Sequence, residues 1–116
     1  MKLHTNQINF EHHGAVTLLD IHGDITSFSE PFLTEAYRNA NNQGASNILL
    51  KIDTDAYINS GGIAVLIQIL SQTKQNNQTI GIAGVSPHFK KIFSMVGISK
   101  FAKIHDTVES AIEMMA

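Results

Sequence analysis

Tyr57-Ile58-Asn59-Ser60-Gly61-Gly62-Ile63 decides the fold because of what stands on either side of it. Upstream, Ile48-Leu49-Leu50-Lys51-Ile52 is a nearly continuous apolar run of strand length. That is the pattern of a central strand covered on both faces. Downstream, from Ile63 to about Lys74, apolar residues at 63, 65, 66, 67, 69 and 70 almost encircle a helix, which predicts heavy burial. A strand that passes through a polar, glycine-rich turn into a buried helix is the first part of a β-α-β unit with parallel pairing. The turn also leaves backbone N–H groups at the helix start available to a phosphate or a partner.

The alternation continues outward. Ile8-Asn9-Phe10-Glu11 reads as a short strand, His12-His13-Gly14 as a turn, and Val16 to Ile21 as the second strand of a hairpin, closed by Gly23-Asp24. Ser27 or Ser29 caps the next helix. Ser27 with Glu30 fits a capping box, and Pro31 falls early, where a missing N–H costs least. Phe32, Leu33, Ala36, Tyr37 and Ala40 make its apolar stripe, and Gly44 ends it. After the polar turn Gln75-Asn76-Asn77-Gln78, a strand spans Thr79 to Val85. Ser86-Pro87 then opens a helix that turns Phe89, Ile92, Phe93 and Val96 inward and stops at Gly97. Phe101 to Ile104 is a last strand. Asp106 or Thr107 caps a final helix with Val108, Ala111, Ile112 and Met115 on one side. The order β-β-α-β-α-β-α-β-α predicts one α/β domain over residues 1–116, with a mostly parallel central sheet, an N-terminal hairpin that leaves one edge antiparallel, and about four helices.

Composition narrows the function. Apolar residues make up 43% of 116 and charged residues 16%, an ordinary globular balance. A formal charge of −2 offers no global field for nucleic acid or acidic lipid, although Lys90, Lys91, Lys100 and Lys103 fall in one region. With no cysteine, disulfides, thiolate metal sites and a cysteine nucleophile are excluded. Met1-Lys2-Leu3-His4-Thr5-Asn6 lacks an apolar signal core, and the longest apolar stretch, Ile63 to Leu70, is broken by Gln68. The expectation is a cytoplasmic protein with no direct membrane contact.

Catalysis finds little purchase. Gly61-Gly62 lacks the lysine and spacing of a P-loop, and no serine sits in a nucleophile elbow. The histidines are His4, His12, His13, His22, His88 and His105, and no two have i, i+4 spacing. His12 and His13 are strand neighbours pointing to opposite faces, a poor metal pair. No catalytic residue, cofactor or metal is expected. Asn59 or Ser60 caps the central helix, with contact to a partner as an added role. Met114 is left open as a surface residue, Met115 as a packing one.

Several short stretches together resemble the STAS domain, the fold of bacterial anti-sigma factor antagonists. They are His22-Gly23-Asp24-Ile25, the turn Tyr57 to Ile63, Val85-Ser86-Pro87, and Met95-Val96-Gly97-Ile98, and the likeness spans nearly the whole chain. The resemblance implies a regulatory binding module, not an enzyme. It would hold an anti-sigma factor of the serine-kinase type through Asp24 and the run Asn59, Ser60, Gly61, Gly62 and Ile63. In that family the central turn usually reads phenylalanine-isoleucine-aspartate-serine-serine (or threonine)-glycine-leucine, and the hydroxyl just before the glycine is the phosphate acceptor. Here Tyr57 and Ile58 fit the apolar pair, Asn59 replaces the aspartate, and Gly61 takes the acceptor position without a hydroxyl. Ser60 is left as an alternative acceptor. Lys51 stands where many members carry an aspartate. The resemblance therefore implies binding without the usual phospho-switch. Two other readings stay open: an accessory STAS subunit of a lipid-transport ATPase complex, and a small nucleotide-binding sensor.

Overall fold

In a computed structural model, residues 5–116 are described, and of the sequence features above His4 and the start of the N-terminal segment lie outside them. Among the described residues, five strands form one sheet: β1 (Gln7–His13), β2 (Val16–His22), β3 (Asn47–Ile52), β4 (Thr79–Ala83) and β5 (Lys103–His105). They lie in sequence order, with β1 antiparallel to β2 and every other pair parallel. Four helices accompany them: α1 (Glu30–Asn42), α2 (Ser60–Gln75), α3 (Pro87–Met95) and α4 (Val108–Met115). The expected element order holds.

The sheet order dictates the layers. Successive crossovers of one hand, each stepping to the next position, put their helices on the same face. Accordingly α1, α2 and α3 pack against Leu19, Ile21, Ile48, Leu50, Ile52, Ile80 and Ile82 in one large core. Period-two alternation turns Val16, Leu18, Leu49 and Ala83 to the opposite face, where α4 covers them through Val108, Ala111, Ile112 and Met115. Eight residues of helix are too short for five strands. α4 lies over β3, β4 and β5, and at its edge a groove opens between Glu11, His13, Asp20 and Lys51 on the strands and Val108 and Ile112 on the helix.

Several local expectations change. β1 runs on through His12 and His13, because the hairpin closes on Gly14-Ala15 alone, with Gly14 at φ +62° and His13 opposite Val16. The Ser27–Glu30 capping box is replaced by one between Thr26 and Ser29 around a 3-10 turn at Ser27–Ser29, and α1 follows without a side-chain cap of its own. α2 begins at Ser60, since Asn59 is its cap, three residues earlier than the apolar run suggests. β4 ends at Ala83, before Val85. Val96, expected inside, is 43% exposed because α3 has ended at Met95 and the chain is turning toward Gly97. Phe101 closes a second 3-10 turn at Ile98–Lys100, so the last strand starts at Lys103.

The candidate docking turn and its neighbouring ion cluster

The turn is built where β2 and β3 leave the sheet side by side. Ile25 and Ile58 extend the parallel pairing as an isolated bridge. Ile25 N–H donates to Tyr57 O at 2.9 Å, and Asn59 N–H donates to Ile25 O at 3.2 Å. Asp24 completes the ladder, its Oδ1 accepting from Tyr57 N–H at 2.9 Å. The segment carrying Asp24 is stapled from below. Buried Asn6 donates its side-chain amide to His22 O at 3.0 Å and to Asp24 O at 2.9 Å. Ser29 Oγ also donates to Asp24 O, at 3.3 Å.

Asn59 caps α2, its Oδ1 accepting from Gly62 N–H at 2.8 Å. Gly62 is buried, and a Cβ there would lie 2.0 Å from Ile25 O, so this position admits no side chain. Gly61 is different: a Cβ would meet Ser27 Cβ and N at 3.0 Å, tight but against the edge of an exposed segment. Ser60 is exposed at the first position of the helix, and Ile63 is half-buried. Tyr57 is 62% exposed and Phe28 is 70% exposed. Tyr57 is steadied edge-on by Phe89 of α3, with ring centroids 6.3 Å apart.

The sequence placed Asp24, Asn59, Ser60, Gly61, Gly62 and Ile63 at one locus, and all six meet around this turn. α2 is less enclosed than its composition suggests: Ser60, Ala64 and Gln68 are exposed and Ile63 and Ile67 half-buried, giving the turn a surface stripe that continues down the helix. Asn6 and Phe28 were not signalled by any motif. Phe28 lies outside every periodic pattern, and Asn6 donates to carbonyls sixteen and eighteen residues away.

Beside the turn is a group the sequence did not single out. His22 lies between two carboxylates, Nε2 at 3.1 Å from Asp20 Oδ2 and Nδ1 at 3.2 Å from Asp53 Oδ1. Lys51 Nζ stands 3.3 Å from Asp20 Oδ1 and 3.7 Å from Asp53 Oδ1. Asp53 Oδ2 also accepts from Gly23 N–H at 3.3 Å. Asp20, His22 and Asp53 bring three potential donor atoms together. The Lys51 ammonium already supplies a cation to both carboxylates, so the arrangement reads as an ion-pair cluster. One signal existed in the sequence: Asp20 and Lys51 each interrupt an apolar strand, and the β2–β3 register sets them opposite one another. The lysine-rich region is separate from the turn. Lys90, Lys100 and Lys103 line a groove with Ser94 and Ser99, and Lys90 pairs with Asp106, whose carboxyl it holds below its ordinary range.

A STAS domain family model matches residues 7–111. The chain belongs to the STAS domain family. Among curated relatives of this STAS domain, the anti-sigma-B factor antagonist of Staphylococcus aureus is 22% identical over 87 residues, covering 75% of this chain and 81% of the relative. The crystal structure of an anti-sigma factor antagonist from Mycobacterium paratuberculosis superposes with a TM-score of 0.78 at 17% identity, over 96% of this chain and 94% of the other. The Bacillus cell fate determinant SpoIIAA, solved in its phosphorylated form, gives a TM-score of 0.65 at 15% identity, over 95% of this chain and 100% of that one. Among the described residues, no helix is long and apolar enough to cross a membrane.

Proposed function

We propose that this STAS domain is an anti-sigma factor antagonist. It binds an anti-sigma factor of the serine-kinase type, and by sequestering it releases a sigma factor for transcription. The chain performs no chemistry itself. The observation that carries this reading is the turn: a rigid ladder from Asp24 to Asn59 presents Ser60 and Tyr57 outward beside a half-exposed Ile63. A turn fixed by backbone hydrogen bonds loses little entropy on docking, which favours binding by a preformed surface. The names of the relatives support the same partner class.

The usual phospho-switch is missing, because Gly61 has no hydroxyl. Ser60 is the one aliphatic hydroxyl within the run 57–63, and it is exposed. Titration calorimetry against a purified anti-sigma factor of the serine-kinase type from the same organism tests the binding, and incubation with ATP tests the switch. The expected result is a complex that persists with ATP and no phosphate on residues 57–63. No binding refutes the partner assignment, and phosphate on Ser60 refutes the missing switch.

A further inference from the structure

We infer that His22 is a proton-operated latch on the docking turn, a regulation of that site that rests on the binding reading above only for its physiological meaning. The geometry is specific about the ring. A neutral imidazole donates from one nitrogen and offers a lone pair at the other. Here both nitrogens face carboxylate oxygens, at 3.1 and 3.2 Å. A neutral ring therefore satisfies one carboxylate and sets its lone pair against the other, whereas the doubly protonated ring donates to both.

The charge balance agrees. Among the described residues, the charged groups around the ring are Asp20 on its own strand, Asp53 at the end of β3, and Lys51 across from Asp20. On the other side β1 contributes Gln7 opposite His22 and Asn9 opposite Asp20, both uncharged. With the ring protonated, two cations meet two carboxylates. Without that proton, one carboxylate is left uncompensated in a partly buried cluster, which is unfavourable.

The two carboxylates are not held alike. Asp20 is only 15% exposed and has Lys51 at 3.3 Å, while Asp53 is more exposed, at the start of a loop, with Lys51 at 3.7 Å. Asp53 is the partner that yields when the ring loses its proton. Its movement removes the acceptor of Gly23 N–H. Gly23, at φ +96°, is the pivot immediately before Asp24, whose carboxylate anchors Tyr57 N–H. Proton loss at His22 thus loosens the ladder on which Asn59 and α2 are set, and proton uptake tightens it.

The test is a pH titration of the 116-residue chain by NMR, which needs no partner. The His22 ring and the amides of Gly23, Tyr57 and Asn59 are expected to titrate with one shared midpoint, and those amide changes are expected to vanish in His22→Gln. In Asp53→Asn the ring still titrates, but the three amides no longer follow it. Ring titration without an amide response in the wild-type protein overturns the latch, as does an unchanged amide response in His22→Gln. A second arm measures affinity for the anti-sigma factor across the same pH range. A fall of about fivefold as the ring loses its proton is expected, the low end of coupling between sites because His22 is 41% exposed. Absence of binding at every pH refutes the partner assignment and leaves the NMR arm to decide the latch, whereas tight binding unchanged across the ring's titration refutes its control of docking.

Discussion

Gly62→Ala opposes two effects of predictable size. Replacing glycine by alanine inside a helix ordinarily stabilises it by about 1 kcal/mol. At Gly62 the new Cβ would stand 2.0 Å from Ile25 O and 2.5 Å from Ile25 C, both backbone atoms that no rotamer change can remove. Either α2 or the Ile25 segment must move by more than an ångström. Three hydrogen bonds depend on their present separation: Gly62 N–H to Asn59 Oδ1, Asn59 N–H to Ile25 O, and Ile25 N–H to Tyr57 O. Loss of two or three at about 1 kcal/mol each, with overpacking of about 1–3 kcal/mol, outweighs the gain in propensity and leaves a net cost of about 3 kcal/mol. For a domain of this length that is a fall in melting temperature of roughly 10 °C. Thermal and urea unfolding of Gly62→Ala measure it, with Gly61→Ala as the control. At Gly61 the neighbours at 3.0 Å belong to exposed Ser27, so the change should stay within about 1 kcal/mol of wild type. If Gly62→Ala melts at or above the wild-type temperature, helix propensity has won and the proposed closeness of the turn to Ile25 is wrong.

Three further outcomes are expected. Asn59→Ala removes the cap of α2 and should cost about 1 kcal/mol in urea unfolding, while Asn59→Asp should retain most of that stability. Leu66→Ala, at a fully buried position on α2, should cost about 2–5 kcal/mol, and a smaller loss would mean that the core closes over the cavity. His105 is buried beside Gly81 and Met115, and burial, followed by Lys103, holds its pKa below the ordinary 6.5. The unfolded chain then takes up the proton first as pH falls below 6.5, so this group makes stability decline on acidification. Urea midpoints measured from pH 7.5 down to pH 5 should fall less steeply in His105→Gln than in wild type.

The order of elements was legible because each helix and strand carries its own period: Leu33, Ala36, Tyr37 and Ala40 for a helix, Ile48 to Ile52 for a doubly covered strand. Boundaries were less legible where two signals compete. Thr26 and Ser27 are both competent caps, and only the position of Ser29 in space decides for Thr26. Asn59 was readable as a cap because its bond to Gly62 spans three residues, and local chemistry determines it. Asp53 and His22 were not, since their pairing depends on the register of β2 against β3 and on a loop path that no short-range pattern encodes. Tyr57 fits an apolar position of its motif, yet it is exposed, while Ile25 and Ile58 pair as a bridge and are buried beside it.

The sheet adds each new strand beside the one before it and inserts none between strands already present. On the ribosome, where synthesis proceeds at about 5–20 residues per second, every strand after β1 therefore emerges after the strand it pairs with. The ladder between Asp24 and Asn59 draws on the ends of β2 and β3 and the first turn of α2, so all of its hydrogen-bonding partners precede α3, β5 and α4 in the chain. The last elements to emerge enclose Phe93 and Ala111 and complete the two cores, and α3 adds one contact to the turn, Phe89 edge-on to Tyr57.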